Sequence, residues 1–141
     1  KLPLEGTVLI SVNKKDKPEV VDVAKRFHED GFKIIATGKT CDLLNESGIP
    51  AEKVKKLYEG RPNILDMITN GKIDLVVNSP AGKESVHDDS YLRKAAIKAK
   101  IPYMTTIAAA KATAEGIGYV KAHMEENNVV KSLQQMHSEI Q

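Results

Sequence analysis

The chain has 141 residues, of which 41% are hydrophobic, and a formal net charge of +2. This length and composition predict one globular domain with a buried core. The small net charge disfavours a general nucleic-acid or membrane-surface binder, and no apolar run is long enough to predict a membrane span. Aromatic residues make up 4% and Trp is absent, so we expect an aliphatic core and no base-stacking surface.

The lone cysteine, Cys41, rules out a disulfide within this sequence and a multi-cysteine metal site. Such cysteine usage is typical of a reducing, cytoplasmic compartment. We interpret Cys41 as a small buried helix residue. The histidines show no clustering, so no metal site is predicted.

Short apolar runs alternate with amphipathic segments through the first half of the chain. The runs at residues 6–12, 32–36 and 53–57 predict strands. Between them, apolar residues recur at helical spacing up to Gly31 and again at residues 41–47. The order β, α, β, α, β favours a parallel sheet, because each crossover between parallel strands needs a helix.

The second half begins with a short helix that Asn63 is expected to cap. Ile64, Met67 and Ile68 would lie on one face of this helix. Residues 73–77 then predict the clearest strand in the chain, because they combine apolar character with β-branched residues.

The polar segment after this strand is expected to be a long loop. It contains Pro80 and Gly82 and leads to a helix at residues 90–100. The candidates for the N-cap of that helix are Asp88, Asp89 and Ser90. His87 followed by two aspartates also suits an acid/base pair or metal ligands, but capping is the simpler interpretation. The buried stripe of the helix is predicted to be Leu92, Ala95, Ala96 and Ala99.

The remaining elements complete an α/β domain. Residues 102–105 predict a last strand, Thr106 is expected to cap the alanine-rich helix after it, and residues 130–140 are predicted to be helical. The fold class is therefore a parallel five-stranded sheet flanked by helices on both faces. Residues 1–5 are interpreted as a linker from a preceding domain, so that the domain itself spans residues 6–141.

A turn of four residues follows the apolar strand at residues 32–36. Thr37, Gly38, Lys39 and Thr40 bring hydroxyls, backbone N–H groups and a positive charge to the start of a helix. Such a combination suits an anion, and phosphate above all. An equally simple interpretation is that Thr40 only caps the helix.

Polar and basic residues also follow the other predicted strands. They are Lys14, Lys15 and Lys17 after the first strand, Lys55 and Lys56 on the third, and Asn78 and Ser79 after the fourth. In open parallel sheets, ligands bind beyond the carboxyl ends of the strands. This convergence favours an anion site over simple capping, although a basic cluster can also be an ordinary solvated surface.

Several segments together carry a family resemblance. They are Leu-Ile-Ser-Val at residues 9–12, Gly-Phe-Lys-Ile-Ile-Ala-Thr at 31–37, Lys-Leu-Tyr-Glu-Gly-Arg-Pro-Asn at 56–63, Ile-Asp-Leu-Val-Val-Asn at 73–78 and His-Asp at 87–88. The whole chain resembles the methylglyoxal-synthase-like fold. The Glu-Gly-Arg-Pro loop at residues 59–62 and the ending at residues 130–137 are most similar to the carboxyl-terminal regulatory domain of the carbamoyl phosphate synthetase large subunit.

This resemblance implies a function for the domain. In that family the parent enzyme makes carbamoyl phosphate from ATP, with Mg or Mn, bicarbonate and ammonia from a small glutaminase subunit. The product serves pyrimidine and arginine biosynthesis. The domain itself, joined to the preceding synthetase domains, performs no chemistry, needs no cofactor and binds an allosteric effector such as UMP or IMP.

The resemblance also implies which residues form the effector-phosphate site. They are Lys17, Thr37, Thr40, Lys56 and Asn78, with Gly38, Lys39 and Ser79 beside them. Cations, hydroxyls and a helix start together suit a phosphate dianion.

Three positions depart from the family pattern. Pro80 stands where nucleotide-binding relatives commonly keep a hydroxyl, and Lys39 adds a charge to a turn that is usually neutral. Some relatives bind ornithine near residues 103–106, but Met104 replaces an acidic residue seen in some of them. The identity of the effector therefore stays open at this point.

Two other functional classes are less consistent with the residues. Methylglyoxal synthase itself needs an aspartate base, and Arg61 stands at that position, where it cannot accept a proton. Glu59 and Asp66 are carboxylates nearby, but their spacing does not match that base. A receiver-like signalling module needs acidic strand ends, whereas the strand ends here are basic.

Overall fold

Short apolar runs form one parallel sheet in the computed structural model, which describes residues 3–12, 17–56, 60–79 and 82–140 of the chain. The strands are β1 (Gly6–Ser11), β2 (Phe32–Thr37), β3 (Glu52–Val54), β4 (Leu75–Asn78) and β5 (Tyr103–Met104). Within the described residues the sheet has five strands in the order β3-β2-β1-β4-β5, and every adjacent pair is parallel. The predicted five-stranded α/β architecture is confirmed.

Helices connect the strands and cover both faces of the sheet. They are α1 (Lys17–Glu29), α2 (Gly38–Glu46), α3 (Ile64–Thr69), α4 (Gly82–Lys98) and α5 (Ile107–Ile140). In the described part of the chain, none of them has the length and apolar character that a membrane crossing requires.

The central strand β1 is buried on both sides. Val8 and Ile10 point into one apolar cluster, to which α1, α2 and α5 contribute, whereas Leu9 points into a second cluster built with α3 and α4. Successive strand residues point to opposite faces, so a strand covered on both faces is apolar at nearly every position. Cys41 is buried in the first cluster, as predicted, and this burial raises the pKa of its thiol.

Helix α2 begins earlier than its sequence suggests. Its N-cap is Thr37, in extended conformation with φ −88° and ψ 145°. Gly38 follows with φ 34°, in the region that favours glycine, so the strand turns into the helix without a loop. The alternative interpretation that Thr40 only caps this helix is therefore wrong, because Thr40 lies inside the first turn.

Helix α4 also begins earlier than predicted. It starts at Gly82, so the expected long loop and the N-cap at Asp88, Asp89 or Ser90 are wrong: these positions lie in the helix interior. The segment at residues 82–89 is polar and has no apolar stripe, which concealed its helical conformation. Ala99 is exposed and follows the last helical residue, so it is not part of the buried stripe.

Two further boundaries differ from the prediction. Strand β3 ends at Val54, and Lys55 forms only an isolated bridge to Asn63. Residue 57, the predicted end of this strand, lies outside the described residues. Residues 130–140 are helical as expected, but they continue one long helix that starts at Ile107.

Two predicted caps are confirmed. The Thr106 hydroxyl accepts a hydrogen bond from the Ala109 N–H at 3.1 Å. The side chain of Asn63 accepts from the N–H groups of Leu65 and Asp66 at 3.0 and 3.3 Å, and the Asp66 carboxylate accepts from the Asn63 N–H at 2.9 Å. This reciprocal arrangement is a capping box, and it fixes where α3 starts.

Replacing Asn63 with Ala should destabilise the protein by about 1–2 kcal/mol, because two partly buried N–H groups at the start of α3 lose their acceptor. Asn70→Ala, at the exposed C-cap of the same helix, is the matched control and should change stability by less than about 0.5 kcal/mol. Urea unfolding followed by circular dichroism measures both. Equal effects of the two substitutions would contradict a specific role for the Asn63 cap.

Candidate functional site

Three neighbouring strands change from apolar to polar at their carboxyl ends. Leu9 is in register with Ile35 on one side and with Val76 on the other, and all three belong to the same buried cluster. Two residues further along each strand, the same face carries a polar side chain. These side chains are Thr37 on β2, Ser11 on β1 and Asn78 on β4. The parallel register thus produces a polar row along one edge of the sheet.

Hydrogen bonds link this row. The Thr37 hydroxyl donates to the Ser11 Oγ at 2.8 Å, and the Ser79 N–H donates to the Ser11 carbonyl at 3.0 Å. On the other side, the Asn78 Nδ2 donates to the hydroxyl of Tyr103 at 2.7 Å. Thr37, Asn78 and Ser79 are all buried. Burial without such partners would be costly, so these bonds hold the Thr37 and Asn78 side chains in defined orientations.

The first turn of α2 begins at the same edge. Thr37 is its N-cap, yet the Thr37 side chain makes no capping hydrogen bond, because its hydroxyl is directed to Ser11. The first turn, Gly38 to Thr40, contains no acidic residue. Backbone N–H groups at a helix start carry partial positive charge and suit an anion. The buried hydroxyl-bearing residue Thr40 lies within this turn.

The predicted site residues do not all share one environment. Thr37, Thr40, Asn78 and Ser79 are buried at the carboxyl edge, and Lys56, just beyond β3, is half-buried. Lys39 is exposed, as an ordinary surface lysine would be.

Some of the predicted positions lie outside what the structure describes. Lys17 opens α1, but its side chain is outside the described residues. Lys14, Lys15, Glu59 and Pro80 are outside the described residues altogether.

Ser11 and Tyr103 are the polar residues of this edge that the sequence interpretation did not assign to the site. Ser11 had a recognisable signal, since it is a hydroxyl residue directly after the apolar run Val8 to Ile10. Tyr103 had none, because its position depends on the pairing of β5 with β4.

Asp66 is engaged in structural contacts. Arg61 donates to it twice, from Nη2 to Oδ1 at 2.6 Å and from Nε to Oδ2 at 3.2 Å. These hydrogen bonds from Arg61 hold the pKa of the Asp66 carboxyl below its usual value. The hydrogen bond from the Asn63 N–H lowers that pKa further, to a smaller extent. A carboxylate with a lowered pKa is a weak proton acceptor, so Asp66 is poorly suited to act as a general base.

Metal ligands do not gather in the part of the chain that is described. No group of three or more His, Cys, Asp or Glu side chains that could hold a metal ion occurs there. The first turn of α2, which begins at the polar edge, offers backbone N–H groups, and these are donors suited to an anionic ligand.

The family model for the MGS-like domain matches residues 19–105. The chain belongs to the MGS-like domain family. In a solved structure of methylglyoxal synthase from Elizabethkingia anophelis, the same fold covers 82% of this chain and 78% of that one, with a TM-score of 0.61 and 22% identity. The crystal structure of ForH covers 86% of this chain and 93% of that one, with a TM-score of 0.53 and 15% identity. These two similarities concern the fold alone.

The sequence of this MGS-like domain is similar to carbamoyl phosphate synthase large chains. It is 45% identical over 99% of its length to the large chain of Methanothrix thermoacetophila, of which it covers 13%. It is 47% identical over 96% of its length to a protein of Methanopyrus kandleri named as the C-terminal section of that large chain, of which it covers 25%. The resemblance to this carboxyl-terminal region, inferred from the sequence, is confirmed. The chain spans a quarter or less of the length of these two relatives.

The Arg61–Asp66 contact should make stability depend on pH. Because folding lowers the Asp66 pKa below 3.8, the ionised carboxylate favours the folded state above that pH, and its contribution is lost as the pH falls through the folded value. Asp66→Asn should therefore be less stable than the parent chain at pH 7, and the difference should narrow below about pH 4. Thermal melts from pH 3 to pH 7 measure this.

The matched control is Asp22→Asn, which changes an exposed aspartate on α1. This variant should follow the parent chain across the same pH range. A stability difference between Asp66→Asn and the parent that stays constant from pH 7 to pH 3 would contradict the assignment.

Proposed function

We propose that this MGS-like domain is the noncatalytic regulatory domain of a carbamoyl phosphate synthetase large subunit. It binds a nucleoside monophosphate, UMP as inhibitor or IMP as activator, at the carboxyl edge of the sheet. The parent enzyme uses ATP with Mg or Mn and ammonia from a small glutaminase subunit. It supplies carbamoyl phosphate for pyrimidine and arginine biosynthesis in the cytoplasm.

One observation carries the proposed binding site. The first turn of α2 starts at the polar edge with no capping side chain and no acidic residue, because the Thr37 hydroxyl is directed to Ser11. An incoming phosphate can accept hydrogen bonds from the N–H groups of this turn and from the hydroxyl of Thr40. The names of the relatives, carbamoyl phosphate synthase large chains, support the proposed parent enzyme.

Two lysines would supply the positive charge of the phosphate site. Lys56 is half-buried just after β3, and Lys17 opens α1. Charge-assisted hydrogen bonds contribute roughly 1.5–3 kcal/mol each, so three or four account for the ~8 kcal/mol of a micromolar ligand before ordering costs. Because Lys56 is only half-buried and so partly solvated, the affinity should fall with rising ionic strength.

Regulation requires that the effector bind one state of the parent enzyme more tightly than the other. A difference of about 1–3 kcal/mol between the two states is typical of allosteric coupling. The domain then shifts the activity of the attached synthetase without contributing a catalytic group. The preceding synthetase domains of the same chain would receive this signal.

Isothermal titration calorimetry of the 141-residue chain with UMP and with IMP tests the proposal. At least one of the two should bind with a dissociation constant below 1 mM, and its affinity should be lower at 0.3 M than at 0.05 M salt. Uridine and inosine, which lack the phosphate, are the matched ligand controls and should bind much more weakly. Absence of binding by both nucleotides at millimolar concentration would refute nucleotide regulation.

Substitutions test where the phosphate lies. Thr40→Val removes a buried hydroxyl while keeping the side-chain shape, and Lys56→Ala removes a cation; each should weaken binding of the nucleotide at least about threefold. The matched controls lie on α5: Thr113→Val and Lys111→Ala should leave the affinity unchanged. Unaltered binding by both site variants would place the phosphate elsewhere on the domain.

A further inference from the structure

Asn78 and Tyr103 form a hydrogen-bonded pair at the end of the polar edge opposite to α2. Asn78 is the last residue of β4 and is only 8% exposed. Its Nδ2 donates a hydrogen bond to the Tyr103 hydroxyl at 2.7 Å. In the sheet, Tyr103 is the register partner of Val76, two residues before Asn78. The phenol ring therefore extends along the same face of the sheet toward its carboxyl edge.

The ring of Tyr103 is itself held in place. It is half-buried and packs against the apolar cluster that contains Val76 and Leu92. The guanidinium of Arg93, from α4, lies 5.8 Å from the centre of the ring, within the range of a cation–π contact. The hydroxyl that receives the Asn78 N–H is therefore fixed from two sides.

The hydrogen bond sets the direction of the planar Asn78 amide. Because the nitrogen is directed to Tyr103 on β5, the carbonyl oxygen is turned away from β5. An amide oxygen accepts hydrogen bonds but cannot donate one, and the oxygens of a phosphate dianion also only accept. In this orientation the oxygen of Asn78 suits a hydroxyl or N–H group of a ligand and does not suit its phosphate.

The distance along the edge agrees with this division. The phosphate donors proposed above lie at the end of β2, and Asn78 lies on β4, two strands away in the order β2-β1-β4. Neighbouring strands are about 4.8 Å apart, so the two ends of the row are separated by roughly 10 Å. A separation of this size can accommodate a nucleoside monophosphate lying along the edge with its phosphate at α2.

We infer that Tyr103 is a specificity-determining positioning residue: it orients the Asn78 amide so that its oxygen receives a hydroxyl or N–H group of the nucleoside part of the ligand. This inference rests on the proposed function and deepens it. Tyr103 acts through Asn78, and it distinguishes a nucleoside monophosphate from inorganic phosphate.

The test compares UMP with inorganic phosphate, the latter measured as a competitor of UMP. Tyr103→Phe keeps the ring, its packing and the Arg93 contact but removes the hydroxyl. UMP affinity should fall about three- to tenfold, because the amide loses the hydrogen bond to the Tyr103 hydroxyl. The affinity for inorganic phosphate should change by less than twofold. Tyr119→Phe, which changes a tyrosine that is 67% exposed on α5, is the matched control and should bind both ligands like the parent chain.

A double-substitution cycle separates positioning from a general structural role. Asn78→Ala should weaken UMP binding as Tyr103→Phe does, and the double variant should bind no more weakly than Asn78→Ala alone. A merely structural tyrosine would lower the affinity for both ligands in parallel and would add to the effect of Asn78→Ala. Thermal melts check that each variant is folded.

The outcomes distinguish a failure of the role inferred for Tyr103 from a failure of the proposed nucleoside monophosphate binding. If the parent chain binds neither UMP nor IMP at millimolar concentration, both fail. If the parent chain binds UMP and Tyr103→Phe binds it equally well, only the role of Tyr103 is refuted. The same holds if Tyr103→Phe weakens the affinity for UMP and for inorganic phosphate by the same factor.

Discussion

The parallel register of β2, β1 and β4 is the constraint on which the other features of the site depend. It aligns Leu9 with Ile35 and with Val76, so that their side chains form one apolar row on the face covered by α3 and α4. The period of two along a strand then places the next polar residues in a second row at the carboxyl edge. A shift of one residue in any pairing would direct that strand's polar side chain to the opposite face.

The hydroxyl and amide groups of the polar row already have hydrogen-bond partners within the sheet. Because the Thr37 hydroxyl is directed to Ser11, the first N–H groups of α2 lack a capping side chain. At the other end, Tyr103 holds the Asn78 amide. The edge therefore offers donors near α2 and an oriented amide on β4. This arrangement suits a ligand that is anionic at one end and carries hydroxyl or N–H groups at the other.

The confirmed predictions rest on local signals. The strands were recognisable from apolar runs, and Asn63 and Thr106 from the position of a capping residue before an apolar helix. The start of α2 was missed because β2 turns directly into it through Gly38, which leaves no loop residues to mark the boundary. The start of α4 was missed because residues 82–89 are polar, so hydrophobic periodicity gave no signal there.

The sequence by itself determined the α/β class, the parallel sheet and the position of Thr37 and Asn78 where apolar runs end, because strand and helix periodicities are properties of neighbouring residues. Only the tertiary structure decided which polar groups meet. The Thr37–Ser11 and Asn78–Tyr103 bonds join residues 26 and 25 positions apart in sequence. Such pairs form only when separate strands pair in one register, and which strands become neighbours is decided by the packing of the whole chain.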